Sequence, residues 1–361
     1  MTAAQKPRLD WVDIAKGLSI ILVVMMHSTY GVGNDTGETG FMHYVLAFAT
    51  PFRMPEFFLI SGLFLGAVIA RPWRHFADRR IVHYLYFYVL WAVIIILFKH
   101  LMIDRDPSGT LATLGTAVYD PYSVLWFIYA LAVFGLIAKL LWQFKVPHWA
   151  ALAAAAAVSI APVETPVAIL NYTAHYFVFF YLGYAGAPGI MRFAEEIGKR
   201  PAIALAGLVF WAIANAALVF APGHVFAPGF VTIGVADVPG ATFALAVAGA
   251  LAVCTTAVLL AKTPRFAWLR WVGANSIVIY LSFVIPMGVF RTILLRVMPN
   301  IDAGIASLAV LFVAVASPLV LYWIIGRTGF GKFLFERPAW AHIPGAPGSR
   351  WGTPARPQPA Q

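Results

Sequence analysis

Long apolar stretches separated by short polar connections recur along the whole chain. A helix needs roughly 20 apolar residues to cross the hydrocarbon core of a membrane, which is about 30 Å thick. The pattern therefore predicts an all-α, polytopic transmembrane helix bundle and excludes a β-barrel, because unbroken apolar runs replace strand-like alternation. About ten spans fit this length, near residues 14–33, 45–70, 81–101, 123–143, 149–163, 167–187, 202–220, 240–261, 272–293 and 303–325.

Composition supports the same class of protein. Of the 361 residues, 61% are apolar and 11% are charged, whereas soluble domains have roughly 45–50% apolar and about 25% charged residues. These values exclude a soluble enzyme and a disordered chain, and they make the lipid bilayer the first expected partner. The only cysteine, Cys254, excludes an intrachain disulfide framework and a cysteine-based metal site.

The net charge of +10 is informative mainly about membrane topology, because the basic residues are clustered. Basic clusters at 6–8, 71–80, 139–145, 192–200, 262–270 and 327–337 fall in every second connection. Such an alternation is typical of cytoplasmic loops in membrane proteins, so we expect both termini in the cytoplasm and no nucleic-acid partner. The predicted organisation is a cytoplasmic segment 1–13, a transmembrane domain 14–325 and a cytoplasmic tail 326–361 whose Pro- and Gly-rich end is disordered.

Two ionisable residues in the first span are the strongest functional candidates, since charged and titratable groups are costly inside a bilayer. Lys16 and His27 are eleven residues apart, which places them on nearly the same helix face and about 16 Å apart along its axis. They have a structural alternative: the lysine extends to the headgroups, and the histidine is hydrogen-bonded inside the bundle.

A second polar region, Pro51–Gly62, contains Arg53 and Glu56 at helical i,i+3 spacing. Broken helices at membrane depth are tolerated where they contact protein or a wet cavity. We therefore weigh a cavity wall facing His27 against a proline kink sealed by an Arg53–Glu56 ion pair.

A third region is the cytoplasmic cluster that contains Arg71, Arg74, Arg79 and Arg80. Arginine presents a planar fork of donors that fits phosphate oxygens, so a phosphate site is one interpretation. Contact with anionic lipid headgroups is the other. His43, His175 and His224 have no spacing that favours a metal site, and we predict none.

Five segments together resemble the acyltransferase-3 family of integral membrane acyltransferases, in family order from about residue 9 to 325. The first runs from Asp13-Ile14-Ala15-Lys16-Gly17-Leu18 to His27 and is similar to a subgroup of bacterial inner-membrane members with a Lys-Gly opening. The others are Phe52–Leu65, which includes Ser61, then Leu125-Trp126-Phe127, Phe180–Tyr184, and Gly273–Leu281, which includes Asn275, Ser276 and Tyr280.

The resemblance implies O-acylation of a cell-envelope glycan or a small hydroxylated acceptor in the bacterial inner membrane, with acyl-CoA as co-substrate and no tightly bound cofactor. His27 would be the general base, and Glu56 would either orient its imidazole or pair with Arg53. Lys16, Arg71, Arg74, Arg79 and Arg80 would bind the donor phosphates. The expected cavity-lining or structural polar residues are Asp13, Arg53, Ser61, Trp126, Asn275, Ser276 and Tyr280. The sequence predicts no oligomeric state.

Two departures from the family pattern keep other functions open. Lys16 stands where most members have arginine, and Ser282-Phe283 follow Leu281 where many members have a nearby histidine. A catalytically degenerate member with a structural or partner-binding role is therefore one alternative. A transporter or exporter with a polar track of Arg53, Glu56 and His27 is another, because ionisable groups on broken helices also mark transport sites.

Overall fold

The computed structural model describes residues 9–103, 108–161 and 163–350. The basic residues Lys6, Arg8 and Arg105 and the end of the predicted tail from residue 351 lie outside these ranges. Seventeen α-helices are present in the described part of the chain: α1 Asp10–Thr36, α2 Phe41–Ala49, α3 Arg53–Gly62, α4 Gly66–Ile69, α5 Trp73–Ala77, α6 His83–Leu97, α7 Ser108–Thr116, α8 Trp126–Gln143, α9 His148–Ile160, α10 Ala168–Ala185, α11 Ala187–Lys199, α12 Pro201–Val219, α13 Pro239–Ala261, α14 Ala267–Ala274, α15 Ser276–Ser282, α16 Val284–Val297 and α17 Ala303–Thr328.

The chain divides into two compact units. Of the described residues, those within 9–63, 152–163 and 174–321 form the first unit, and those within 64–151, 164–173 and 322–350 form the second. The first unit contains one short antiparallel hairpin, β1 Val225–Ala227 with β2 Phe230–Thr232, in which Phe226 is opposite Val231.

Helix α1 is the centre of the first unit and contacts α3, α13, α14, α15 and α16. Its apolar residues Val12, Ile14 and Ala15 are buried in a cluster with Cys254 and Leu269. The run from residue 17 to 34 contains no carboxylate, lysine or arginine. This composition lets α1 bury almost its whole circumference among other helices.

Glycines allow the helices of the first unit to approach closely. A β-carbon added to Gly273 of α14 would overlap the carbonyl oxygen of Asp13 in α1. Gly62 of α3 and Gly183 of α10 meet in the same way, since a β-carbon on either would overlap backbone of the other helix. Small residues at such crossings are typical of membrane helix pairs. These glycines of the family-like segments therefore set helix packing.

The predicted span 45–70 is divided into α2, α3 and α4. Pro51 lies in the turn between α2 and α3, and Pro55 lies in the first turn of α3, where the missing N–H removes no intrahelical hydrogen bond. The predicted span 272–293 is also bent: α15 and α16 meet at Phe283 at an angle of 59°.

At the end of α1 that follows His27, side chains connect the hairpin to α1 and α2. The Val231 amide donates to the Tyr30 hydroxyl over 3.1 Å. The His43 ring accepts from the Gly40 amide at Nδ1, and its Nε2 lies 3.2 Å from the Pro228 carbonyl oxygen. His43 thus joins two backbone segments.

The second unit is organised around a long helix formed by α5, a π-helical turn at Asp78–Val82, and α6. Lys139 of α8 is buried and donates to the carbonyl oxygens of Ile69 (2.6 Å) and Arg71 (3.0 Å). Its ammonium also lies 4.2 Å from the Trp142 ring centroid. This lysine fixes the backbone at the start of the arginine-rich segment.

Six helices in the described ranges are long and apolar enough to cross a membrane, and a seventh span is possible if α15 and α16 count as one. The all-α polytopic architecture is therefore confirmed. The count of ten spans and the cytoplasmic position of both termini stay predictions. Helix α9, over the predicted span 149–163, has only 13 residues.

The α1–α14 crossing should be sensitive to a single methyl group. We expect Gly273→Ala to lower the midpoint of thermal unfolding in detergent, because the new β-carbon would meet backbone that no rotamer change can move; the cost is about 1–3 kcal/mol. Gly207→Ala in α12 is the matched control, since nothing lies within 4 Å of its added carbon. Equal unfolding midpoints for both variants would contradict the close crossing.

Candidate active site

His27 lies inside α1, 17 residues from its first residue, and its ring packs against Phe283 with 5.5 Å between centroids. Phe283 is at the bend between α15 and α16, at the place where many members of the resembling family have a histidine nearby. Within the described ranges, neither nitrogen of the His27 ring has a hydrogen-bond partner. An imidazole in this position can exchange a proton with a bound molecule.

Arg53, the first residue of α3, is the charged side chain that acts electrostatically on His27. The hydroxyl groups of Tyr30 and Tyr176 act on Arg53 in turn. Its Nε and Nη1 atoms are buried, and neither has a hydrogen-bond partner in the part of the chain that the structure describes. Buried donors are nearly always paired, so these two N–H groups mark a place for an acceptor from outside the protein.

Glu56 makes neither of the two predicted contacts. Its carboxyl group is fully buried and its Oε2 atom is hydrogen-bonded to the Ser19 hydroxyl, which also contacts the Ala15 carbonyl oxygen at 2.7 Å. Ser19 is eight residues before His27 in α1, or about 12 Å along the axis. The prediction that Glu56 orients His27 or pairs with Arg53 is therefore wrong. Glu56 instead joins α3 to α1.

A cavity of about 310 Å³ lies beside the proline-containing turn of the first unit. Pro51 and Pro55 line it as predicted, together with the aromatic side chain of Tyr176 and the polar side chains of Asp237 and Thr242. His27 is not among its lining residues, and the expectation of a cavity wall that faces His27 stays a prediction. The charge of Arg53 acts on His27, and the hydroxyl group of Tyr176, which lines the cavity, acts on Arg53.

Lys16 is in the first unit, one helical turn from Asp13, whose carboxylate lies 3.5 Å from the lysine ammonium. The Lys16 side chain is partly exposed, and Asp13 is buried beneath the α1–α14 crossing. The Asp13 carboxylate thus stabilises the charged Lys16 ammonium near the beginning of α1. Its predicted role in donor binding stays a prediction.

Several predicted polar residues have local structural contacts. Ser61 donates to the Phe57 carbonyl oxygen at 2.8 Å, and Asn275 donates to that of Trp271 at 2.8 Å, each within or at the end of its own helix. Ser276 begins α15, and Tyr280 of that helix is buried. In the second unit, Trp126 stacks on Tyr172 with 4.2 Å between ring centroids.

The four predicted phosphate-binding arginines lie in the second unit and separate into two pairs. Arg71 and Arg74 are exposed at the beginning of the segment. Arg79 and Arg80 line a cavity of about 480 Å³. Arg80 also donates to the Tyr84 hydroxyl at 3.0 Å and to the Phe64 carbonyl oxygen at 3.2 Å.

Three residues that make buried polar contacts, Ser19, Asp78 and Arg337, have little signal in the sequence. Ser19 is a short polar residue inside an apolar helix, which is a weak signal by itself. Asp78 lies within a basic cluster, and an acidic residue there could have indicated an internal partner. That partner is Arg337, which is far away in sequence, and their pairing has no local sequence pattern.

The His27 region combines a proton acceptor with unpartnered cationic donors in an apolar bundle. Such a set can take a proton from an attacking group and stabilise negative charge on an oxygen. Among the described residues no group of three or more His, Cys, Asp and Glu side chains is placed to hold a metal ion.

Comparison with known proteins agrees with the family-like segments. Residues 9–327 match the acyltransferase domain of the acyltransferase-3 family. The chain is 25% identical over 229 residues to inner membrane protein YcfT of Escherichia coli (strain K12), an alignment that covers 55% of this chain and 62% of that relative's length. No solved structure matches. With a family match over most of its length and at least six helices able to cross a membrane, this chain belongs to the acyltransferase-3 family of membrane acyltransferases.

Proposed function

We propose that the protein is an O-acyltransferase of the bacterial inner membrane that moves an acyl group from acyl-CoA to a hydroxyl group. The observation that carries the proposal is the pair of His27 and Arg53. Arg53 Nε and Nη1 are buried without a hydrogen-bond partner in the described ranges, and the His27 ring packs against Phe283 without a hydrogen bond there. Leaving such groups unpaired is costly, and a substrate with a hydroxyl and a carbonyl group would satisfy both.

In this mechanism His27 accepts the proton of the acceptor hydroxyl as its oxygen attacks the thioester carbonyl carbon. Arg53 donates its Nε–H and Nη1–H to the carbonyl oxygen, where negative charge develops. The bond between carbon and sulfur then breaks, and the leaving thiolate takes the proton back from His27. The new ester and free coenzyme A are the products.

The part of the acceptor away from its reacting hydroxyl is proposed to bind in the cavity beside Pro51 and Pro55, since His27 itself does not line that cavity. Tyr176, Phe179 and Phe243 supply aromatic surface there, while Asp237 and Thr242 supply hydrogen-bonding groups. Aromatic faces with a few placed polar groups suit a sugar or a similar hydroxylated molecule. A cell-envelope glycan, or a small acceptor of the same chemistry, is therefore the proposed substrate class.

The inner-membrane location has two supports. The described residues include six or seven helices able to span a bilayer, and the relative YcfT is named an inner membrane protein. The alternative of a catalytically degenerate member depends on Phe283, which packs against the proposed base. A comparison of envelope glycans by mass spectrometry, between a strain lacking the gene and the same strain carrying it, separates these functions. An acyl mass difference supports the enzyme.

His27 should be indispensable for transfer. We expect His27→Gln to lower acylation about 10²–10⁴-fold, the range that a general base contributes, while membrane abundance stays unchanged. The measurement is the acyl content of envelope glycans, together with immunoblots of the membrane fraction. His224→Gln, a substitution at an exposed loop histidine, is the matched control. Normal acylation by His27→Gln would exclude the mechanism.

Arg53 should affect turnover more than donor binding. We expect Arg53→Met to lower kcat about 10²–10³-fold, because the developing charge loses its donors, and Arg53→Lys to retain part of the activity. Kd for coenzyme A should change little in either variant. Arg296→Gln in α16 serves as the exposed-arginine control. A rise in this Kd with unchanged kcat would instead assign Arg53 to donor binding.

A further inference from the structure

The cavity of about 480 Å³ in the second unit is lined by two parts of the chain that are distant in sequence. Arg79, Arg80 and His83 come from the helix that includes α6, and Arg337 and His342 come from residues 332–350, here termed the C-terminal segment. The sequence assigned this segment no function. In the structure it supplies one of the three guanidinium groups of the cavity.

Asp78 holds the C-terminal segment in place. Its carboxylate accepts hydrogen bonds from Arg337 Nη2 at 2.6 Å and from the Ile343 amide at 2.8 Å, and it lies 3.1 Å from His342 Nδ1. Arg337 Nη1 donates to the Asp78 carbonyl oxygen at 2.8 Å. The side chains of Asp78 and Arg337 are only 1% and 4% exposed. These contacts fix Arg337 in one orientation.

Two further hydrogen bonds attach the segment to α6. The Tyr86 hydroxyl donates to the Phe333 carbonyl oxygen, and Trp91 Nε1 donates to the Leu334 carbonyl oxygen. Both donor–acceptor distances are 3.0 Å. The segment is therefore anchored both beside the cavity and along the helix that lines it.

The cavity keeps an excess of positive charge after its internal pairing. Asp78 is the only carboxylate among the described lining residues, and Arg337 already pairs with it. Arg80 has neutral partners, Tyr84 and the Phe64 carbonyl oxygen. Arg337 Nε is buried and has no hydrogen-bond partner in the described ranges. Several guanidinium groups with donors to spare are suited to phosphate oxygens.

We propose that the C-terminal segment completes a phosphate-binding site, in which Arg337 binds phosphate oxygens together with Arg79 and Arg80. Asp78 is a positioning residue that orients Arg337. The ligand is the phosphorylated nucleotide part of the acyl donor, and in this respect the inference rests on the proposed function. An anionic lipid headgroup has the same phosphate chemistry, so the test must separate the two sources.

The test measures binding by calorimetry with the purified full-length protein in nanodiscs of phosphatidylcholine. The probes are coenzyme A and pantetheine, which has no phosphate group. We expect Arg337→Lys to weaken binding of coenzyme A at least about tenfold, because a fixed charged donor fork is lost, and to leave pantetheine binding unchanged. Arg327→Gln removes a cation outside the cavity and should leave both affinities unchanged.

A second variant guards against simple misfolding. Asp78→Asn with Arg337→Gln removes both charges of the buried pair, so no lone buried charge remains. We expect wild-type thermal stability with the same loss of coenzyme A affinity. If folded Arg337→Lys and the double variant bind coenzyme A as tightly as wild type does, the inference is overturned.

Nanodiscs with phosphatidylglycerol separate the lipid source. If Arg337→Lys changes only the stabilisation by this anionic lipid and leaves coenzyme A binding unchanged, the site serves headgroups and the donor assignment is overturned. The two proposals fail separately: loss of coenzyme A binding in Arg337→Lys supports the site even if His27→Gln still acylates glycans. Absence of coenzyme A binding by wild type would refute the site directly.

Discussion

A buried polar group without a hydrogen-bond partner is unfavourable in free energy, and the arrangement of this apolar helix bundle depends on that constraint. Many buried polar side chains in the described ranges are satisfied locally, as Ser282 and Ser307 are by backbone carbonyl groups of the preceding turn. Arg53 differs, because its Nε and Nη1 atoms are buried without such a partner in the described ranges, as are a few other atoms that include Glu56 Oε1 and Arg337 Nε. In a medium of low dielectric constant, groups left open in this way interact strongly with any polar molecule that reaches them. The proposed acyl transfer follows from these missing hydrogen-bond partners.

The surrounding helices hold His27 and Arg53 in fixed positions. Glycines at the crossings of α1 with α14 and of α3 with α10 bring backbones into direct contact, so the helices that carry His27 and Arg53 have little freedom to shift. The buried contact of Glu56 with Ser19 adds a polar connection between α1 and α3. The site residues can thus have fixed positions in a bundle that consists mostly of apolar residues.

The class of fold and the position of the histidine proposed as the base could both be predicted from the sequence, because both depend on local features. Apolar runs identify membrane helices, and a histidine inside such a run is conspicuous. Contacts between segments distant in the sequence could not be predicted from it. The Arg53–Glu56 spacing suggested an ion pair, yet α3 directs one side chain toward Tyr30 and Tyr176 and the other toward Ser19. Similarly, the sequence does not distinguish the four neighbouring arginines, whereas in the structure Arg79 and Arg80 line a cavity and Arg71 and Arg74 do not.

The hydrogen bond between Asp78 and Arg337 spans 259 residues of sequence, and this separation has a consequence for biosynthesis. Helices α5 and α6 emerge from the ribosome long before the residues that close the pocket beside them. The nascent protein therefore inserts most of its hydrophobic helices while that pocket is still open on one side. Chains truncated after α17 would still contain every long apolar helix but would lack the last wall of the pocket.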